Sequence, residues 1–272
     1  MSNLIDAHLA HCRHAGLADS TIEDRGRLLR AADRALPYGL DAATHGELLT
    51  WLAAYTSPQT RHTYSNHLRQ FYRWATDPDD PWLTLDPSTR LPRVRVPGGI
   101  PHPATVDELD TALARLPQPW DLAVKLAAYA GLRCGDIADQ DRGDITAHTL
   151  RVRRGKGGKP AILPTHPVIW DAVRDLPAGL VIPGRPPRTP GRRWVSQRLQ
   201  AMLDRIGLPH LSAHSFRHFF GTELYRTTRD LRLVQELMRH SSPATTAVYT
   251  LITGEERRLA VHALPTVAAA SM

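Results

Sequence analysis

The sequence predicts a mainly α-helical protein with one small β-sheet, divided into two domains. Apolar residues recur at helical spacing along most of the 272 residues, often behind N-cap signatures. A proline- and glycine-rich stretch at 91–103 interrupts this pattern. Two short runs of β-forming residues flank a glycine-rich turn. We therefore expect a four-helix domain at 1–90, a linker at 91–103 and a second domain at 104–272.

Four helices are predicted within the first 75 residues, the first of them over residues 3–14. Capping-box signatures precede the second and third helices, and a Ser-Pro N-cap precedes the fourth, which should reach about residue 75. These signatures are, in order, Ser20 with Glu23, Thr44 with Glu47, and Ser57 with Pro58. Each is followed by apolar residues at helical spacing, so we expect the four helices to share one core.

The fourth helix carries a polar set beside its apolar residues, and the linker after it carries two more basic residues. The members of this set are Arg61, His62, Ser65, Arg69, Arg73, Arg93 and Arg95. Two interpretations of the helical residues are open, a solvated face or a helix that lies against a DNA groove. The two linker arginines fit contacts with phosphates and fit a simple spacer nearly as well.

The charge distribution indicates a polyanionic partner for the second domain. The chain has a net charge of +7 and a pI near 9.8. Residues 1–95 contain eleven arginines and eleven carboxylates, so the whole positive excess lies in residues 96–272.

The two cysteines, Cys12 and Cys134, form no disulfide framework, which indicates a reducing cytoplasm. We see neither a signal peptide nor a membrane span, and we expect a cytoplasmic, nucleoid-associated protein.

The second domain opens with helices and then turns to β-structure. Thr105 with Glu108 predicts a helix to about residue 115, and the next helix, 120–130, should be buried and should end at Gly131. Three short β-type runs follow, at 144–146, 149–153 and 160–164, and the last two predict a hairpin. Three more helices are predicted to begin near Trp194, His214 and Asp230, and a further one at Ser242-Pro243.

Lysine usage singles out the tip of this hairpin. Of 34 basic residues only Lys125, Lys156 and Lys159 are lysine, and two of them lie in the same turn. Lysine can give up its proton whereas arginine stays charged, so a lysine in such a turn can serve as a general acid. We assign this role to Lys156, and we interpret Lys159 as a phosphate-binding or solvated residue.

Six residues of the second domain form a set suited to phosphoryl transfer. They are, in chain order, Arg133, Lys156, His214, Arg217, His240 and Tyr249. Two guanidiniums can hold the oxygens of a phosphodiester, a tyrosine can attack phosphorus, and a lysine or histidine can move protons. A buried guanidinium on the apolar-faced helix of Arg217 needs an anion, which a DNA phosphate would supply. Structural roles are the alternatives: a helix cap for His214, a helix-end charge for His240 and a core position for Tyr249.

The order and spacing of these residues resembles the tyrosine recombinase (phage integrase) family. The segments that carry the resemblance are AGLRCGD, GKGGK, HSFRH and RHSSPATTAVY, between Thr105 and Thr253. The resemblance implies a SAM-like core-binding domain followed by a tyrosine recombinase catalytic domain, and it favours DNA contact for the polar set of the fourth helix. It also implies that Asp136 orients Arg133. Asp136 can in addition open the next helix as its N-terminal carboxylate, and the two roles are compatible.

The resemblance further implies the reaction and the partners. Tyr249 would form a 3′-phosphotyrosyl link to double-stranded DNA, and no cofactor or metal would take part. The protein would act as a homotetramer on paired sites. An accessory or directionality factor is a further partner that this family can use. Integration or excision of a mobile element and resolution of DNA multimers are both open.

The chain begins directly with the core-binding-like segment, so we expect no separate arm-binding domain. The alternatives are a relaxation enzyme similar to type IB topoisomerases and a catalytically idle DNA-binding protein. For the apolar tail, residues 255–272, docking on a neighbouring protomer and a disordered end are both open.

Overall fold

The computed structural model describes residues 3–96, 102–153, 160–184 and 191–239. The chain divides into two compact units, residues 1–99 and 100–272. The described residues are mainly helical and contain one two-stranded antiparallel sheet, so the predicted fold class is confirmed. The limits given above for the linker stay a prediction. Within the described ranges no helix is both long enough and apolar enough to cross a membrane.

The first unit contains the four predicted helices. They are α1 (Asn3–His14), α2 (Asp19–Ala35), α3 (His45–Ala53) and α4 (Pro58–Ala75). The helices enclose one core, whose fully buried members include Leu29, Leu48, Leu68 and Phe71. Burial of each such side chain contributes on the order of 1.5–3 kcal/mol, so this shared core is the main stabilising element of the unit.

The helix starts of this unit follow the sequence signals with one exception. The capping box of Thr44 and Glu47 is present in full, and the Ser57 hydroxyl accepts a hydrogen bond from the first turn of α4. The predicted capping box of Ser20 and Glu23 is wrong. Because α2 begins at Asp19, Ser20 already lies inside the first turn, and the N-cap position falls on Ala18, whose side chain cannot cap.

The second unit packs its helices around one buried helix. Its elements are α5 (Val106–Arg115), α6 (Trp120–Ala130), α7 (Cys134–Ala138), β1 (Thr149–Val152), β2 (Ala161–Pro164), α8 (Pro167–Val173), α9 (Arg192–Arg205), α10 (Ala213–Thr228) and α11 (Leu231–Leu237). Nearly all of α6 is buried, and α5, α8, α9 and α10 contact it. The capping box of Thr105 and Glu108 at the start of α5 is present as predicted.

The small sheet is the predicted hairpin. Strand β1 pairs antiparallel with β2, and Leu150 lies opposite Leu163. The third predicted run, 144–146, is not a strand of this sheet: residues 142–144 form a single 3₁₀ turn, and Ile145 makes only an isolated bridge to Leu150. Helix α8 was not predicted, although its start carries a Pro after an N-cap, His166.

Candidate active site

The end of α6 fixes where Arg133 lies. Gly131 ends the helix with a φ of 60°, a left-handed conformation that glycine adopts at no steric cost. A Cβ atom there would also lie 2.6 Å from Cδ1 of Phe220, on α10. Glycine is therefore needed for the turn and for the close approach of α10. Two residues later, Arg133 immediately precedes α7 and is half-buried.

Arg217 lies in α10 and is buried, with 1 % of its surface exposed. Its Nη2 donates to the carbonyl oxygen of Met238 at 2.5 Å, and its Nη1 donates to the carbonyl oxygen of Gly131. Both oxygens lie at helix C-termini, where the helix dipole favours a positive charge. The expectation that this guanidinium depends on a DNA phosphate for a partner is thus corrected, because the protein itself supplies acceptors.

Arg133 binds the residue after Met238. Its Nη2 donates to the carbonyl oxygen of Arg239 over 3.1 Å. The two predicted catalytic arginines therefore hold consecutive main-chain oxygens, 238 and 239, at the end of α11. The structure thus brings together two residues that are 84 positions apart in the chain. The next residue in the sequence is His240.

His214 shares a helical face with Arg217 and His218, three and four positions later in α10. Its ring meets the ring of His218 edge-on, with 4.3 Å between the centroids. Partial burial, followed by the positive charges of Arg217 and Arg133, lowers the pKa of His214, although the residue keeps an exposed surface. Burial, His214 and Arg217 lower the pKa of His218 to about 4. Both rings are therefore neutral at pH 7, and a neutral His214 can accept a proton.

Asp136 is buried, with 5 % of its surface exposed, and it serves two partners through one oxygen. Its Oδ2 accepts a hydrogen bond from the main-chain N–H of Arg133 at 2.9 Å, which is the helix N-terminal role described above. The same Oδ2 forms an ion pair of 2.6 Å with Nη2 of Arg239. Asp136 therefore acts on the main chain of Arg133 and, through Arg239, on the end of α11.

Arg239 is the site residue that the sequence-based interpretation missed. Its side chain is 12 % exposed and its φ is 53°, which is unusual for a residue other than glycine. The sequence offers one signal, its place directly before His240. Nothing local indicates the left-handed backbone or a partner 103 positions away.

Three of the predicted catalytic residues lie outside the described residues. These are Lys156 in the hairpin tip, His240 and Tyr249. The predicted helix at Ser242-Pro243 and the tail are also outside them. The assignments of these three residues therefore stay predictions, whereas Arg133, His214 and Arg217 are found close together.

Five of the seven predicted DNA-contacting residues line one cavity of the first unit, of about 730 Å³. They are His62, Ser65, Arg69, Arg73 and Arg93. The cavity lies between the polar side of α4 and the segment 86–94, so the structure brings the α4 residues and a linker arginine to one place. Arg61 and Arg95 are not part of its lining.

The members of this cavity differ in how accessible they are. Nη2 of Arg69 donates to the carbonyl oxygens of Leu91 and Pro92, at 2.7 and 3.1 Å, and Nδ1 of His62 lies 3.1 Å from the carbonyl oxygen of Val94. These bonds hold the segment against α4. Arg73 and Arg93 are exposed, whereas Ser65 is 1 % exposed and is the least accessible of the predicted contacts.

Comparison with known proteins gives a family match. The model of the phage integrase family matches residues 104–256, more than half of the chain. The tyrosine recombinase XerC of Rhodospirillum centenum is 31% identical over 89% of this chain and 75% of its own length. This relative spans both units of the chain.

Solved structures show the same fold. The chain is similar to a lambda integrase fragment, residues 75–356, solved as a dimer on a core site, with a TM-score of 0.72, 18% identity and 99% of each chain covered. It is also similar to lambda integrase solved as a tetramer on a Holliday junction, with a TM-score of 0.69, 20% identity, and 88% of this chain and 77% of that chain covered. At these identities the likeness shows the fold alone.

Proposed function

The chain belongs to the phage integrase family, whose members are tyrosine recombinases that cut and rejoin DNA, and on this premise we propose that it exchanges strands through a covalent 3′-phosphotyrosyl intermediate on Tyr249. The observation that carries the proposal is the grouping of Arg133, Arg217 and His214. Two guanidiniums and a neutral imidazole, gathered from α10 and the turn before α7, form a cationic site that can hold a phosphate.

In the proposed cleavage step, Oη of Tyr249 attacks the phosphorus and the bond from phosphorus to the 5′-oxygen breaks. The tyrosine proton goes to His214, whose lowered pKa leaves it neutral and able to accept one. Lys156 gives its proton to the leaving 5′-oxygen. Rejoining reverses these transfers, and because the phosphotyrosyl link keeps the bond energy, no nucleotide hydrolysis is required.

The charged groups act on the transition state. Arg133, Arg217 and His240 would stabilise the negative charge that develops on the non-bridging oxygens. A positioned donor of this kind typically accounts for about a hundredfold to a thousandfold in rate. Since the two arginines are already held by carbonyl oxygens, their guanidiniums are oriented before DNA arrives, which lowers the reorganisation that the reaction needs.

The substrate of the proposal is double-stranded DNA, and the acting form is a homotetramer on paired sites. The solved lambda integrase structures, a dimer bound to a core site and a tetramer bound to a Holliday junction, support this part by their fold. The excess of positive charge in residues 96–272 supports a polyanionic partner. A cytoplasmic, nucleoid-associated location and the use of an accessory factor belong to the same proposal. Element integration or excision and multimer resolution both fit it.

The test is covalent trapping on a nicked suicide duplex that contains a site selected from a random-sequence pool by the purified chain. The wild type should accumulate a protein–DNA adduct, and Tyr249→Phe should form none while it binds the duplex with near wild-type affinity. Adducts formed by the phenylalanine variant would contradict the assignment. Relaxation of a supercoiled plasmid without the site would instead indicate topoisomerase-like activity, and binding without any adduct would indicate an idle DNA-binding protein.

A further inference from the structure

The ion pair between Arg239 and Asp136 joins two parts of the second unit that are 103 positions apart. Nη2 of Arg239 lies 2.6 Å from Oδ2 of Asp136, and the two side chains are 12 % and 5 % exposed. A pair so little exposed is screened far less by solvent and salt than a surface pair. It therefore fixes the distance between the end of α11 and the start of α7.

The backbone at Arg239 adopts a conformation that favours glycine. Its φ of 53° is a conformation that glycine adopts without strain and that other residues adopt at a cost in free energy. An arginine at this position is thus less favourable for the turn itself than a glycine would be. The arginine side chain forms the ion pair with Asp136, which a glycine cannot make.

Arg239 is also tied through its main chain. Its carbonyl oxygen accepts a hydrogen bond from Nη2 of Arg133 at 3.1 Å, while Oδ2 of Asp136 accepts the main-chain N–H of Arg133 at 2.9 Å. The three residues therefore form a closed ring, in which the side chain of each contacts another. Movement of Arg239 would shift the predicted catalytic guanidinium of Arg133.

We infer that Arg239 is a positioning residue for strand cleavage, and that its ion pair with Asp136 holds the end of α11 in register with Arg133. This inference rests on the proposed function. Arg239 does not act on the reacting atoms in it. Nε and Nη1 of Arg239 are buried and have no hydrogen-bond partner among the described residues. The side chain of Arg239 therefore acts through the contact of its Nη2 with Asp136.

The decisive variant is Arg239→Gly, because glycine keeps or relaxes the left-handed turn and removes only the side-chain contact. Its single-turnover rate of adduct formation on the suicide duplex, with protein in saturating excess, should fall on the order of tenfold to a hundredfold, the range that follows from a small misplacement of reacting groups. Duplex affinity should stay within about twofold of wild type, since the proposed role concerns geometry after binding.

A lysine variant and a double variant distinguish a positioning role of Arg239 from a general loss of structure. Arg239→Lys should recover most of the rate, because an ammonium group can replace the single Nη2 contact. Asp136→Asn should be slowed to a similar extent, and the double variant Asp136→Asn/Arg239→Gly should be no slower than the slower single variant, since the two residues act through one interaction. The folded fraction of each variant, measured by circular dichroism at the assay temperature, normalises the rates.

Helix α11, which Arg239 follows, offers a matched control. Arg232 forms an ion pair of the same length, 2.6 Å, with Glu236, but these side chains are 80 % and 59 % exposed. Arg232→Ala should cleave at the wild-type rate, because exposed pairs contribute little.

Three results would overturn the inference: an Arg239→Gly rate within about twofold of wild type, additive defects in the double variant, or a lysine variant as slow as the glycine variant. If the wild type forms no adduct, the proposed function itself fails and this inference fails with it. If the wild type and Arg239→Gly both form adducts at the normal rate, the inference about Arg239 is contradicted and the proposed function is not.

Discussion

Arg217 donates from Nη2 to the carbonyl oxygen of Met238 at 2.5 Å, and this bond ties α10 to the end of α11. The same guanidinium reaches the carbonyl oxygen of Gly131, so one buried side chain holds two helix ends. A residue predicted for catalysis therefore also stabilises the unit that contains it. Its variants have to be compared with those of Arg133, which is only half-buried.

Replacing either arginine by lysine should slow cleavage, but only one of the replacements should destabilise the fold. Arg133→Lys and Arg217→Lys should each lower the rate of adduct formation by about a hundredfold or more, because a point charge cannot replace a two-pronged guanidinium. Arg217→Lys should also lower the free energy of unfolding by about 1–3 kcal/mol, since a buried carbonyl loses its donor. Urea unfolding and single-turnover trapping measure the two effects. An Arg217→Lys protein of wild-type stability would mean that the two carbonyl contacts contribute little.

Lys156→Ala should be rescued by a better leaving group. On ordinary DNA we expect a loss on the order of a hundredfold to ten-thousandfold, the range for general acid catalysis. A substrate with a bridging 5′-phosphorothiolate has a leaving group that needs no proton, and on it the variant should approach the wild-type rate. Lys159→Ala, from the same turn, is the control and should cleave both substrates normally. Equal defects of Lys156→Ala on the two substrates would remove it from the acid role.

The cavity of the first unit should contribute to DNA affinity through its exposed arginines. Arg73→Ala and Arg93→Ala should each weaken duplex binding for all sequences and lower the slope of log affinity against log salt by about one unit, as expected for loss of one phosphate contact. Arg13→Ala removes an exposed arginine of α1 that does not line the cavity, and it should leave the slope unchanged. Fluorescence anisotropy at several salt concentrations measures these slopes. If Arg73→Ala and Arg93→Ala show the same slope as the wild type, the DNA does not contact these arginines of the cavity.

Acid should destabilise the first unit through His8. Burial, then the charge of Arg25, lowers the pKa of His8 from 6.5 to about 4, and the pKa of His67 is lowered as well. As the pH falls from about 6.5 to about 4, the unfolded chain binds a proton that folded His8 does not bind, so the free energy of unfolding decreases. The decrease from His8 should reach at most about 3 kcal/mol.

Urea unfolding at a series of pH values between 7 and 4 measures this decrease. His8→Gln should show a smaller loss than the wild type over that interval, because a glutamine takes up no proton. His14→Gln removes an exposed histidine from the same helix and serves as the control. An unchanged pH dependence in His8→Gln would show that other groups account for the acid sensitivity.

Local signals in the sequence were sufficient for most of the elements. Capping boxes such as Thr44 with Glu47 involve residues three positions apart, and the left-handed stop at Gly131 depends on one residue, so both are readable from a short segment. The start of α2 was missed by a residue or two because neighbouring residues, Asp19 and Ser20, both suit a helix start.

The contacts within the site were beyond sequence reasoning, because they join distant segments. Arg133 and Arg217 were identified from motif order, but the oxygens that bind them belong to Gly131, Met238 and Arg239. Every residue has a carbonyl oxygen, so composition gives no sign of which one is used. The ion pair of Arg239 with Asp136 depends equally on how the residues after α11 lie near the start of α7, and it has no short-range signature.

The use of main-chain oxygens at positions 238 and 239 has a consequence for how this protein can vary. A carbonyl group is common to all amino acids, so exchanging the side chain of Met238 leaves the acceptor for Arg217 in place. Deleting one residue from α11 would instead turn its end by about 100° and carry both oxygens away from the arginines. Changes in chain length at this point are therefore expected to be inherited far less often than changes in residue identity.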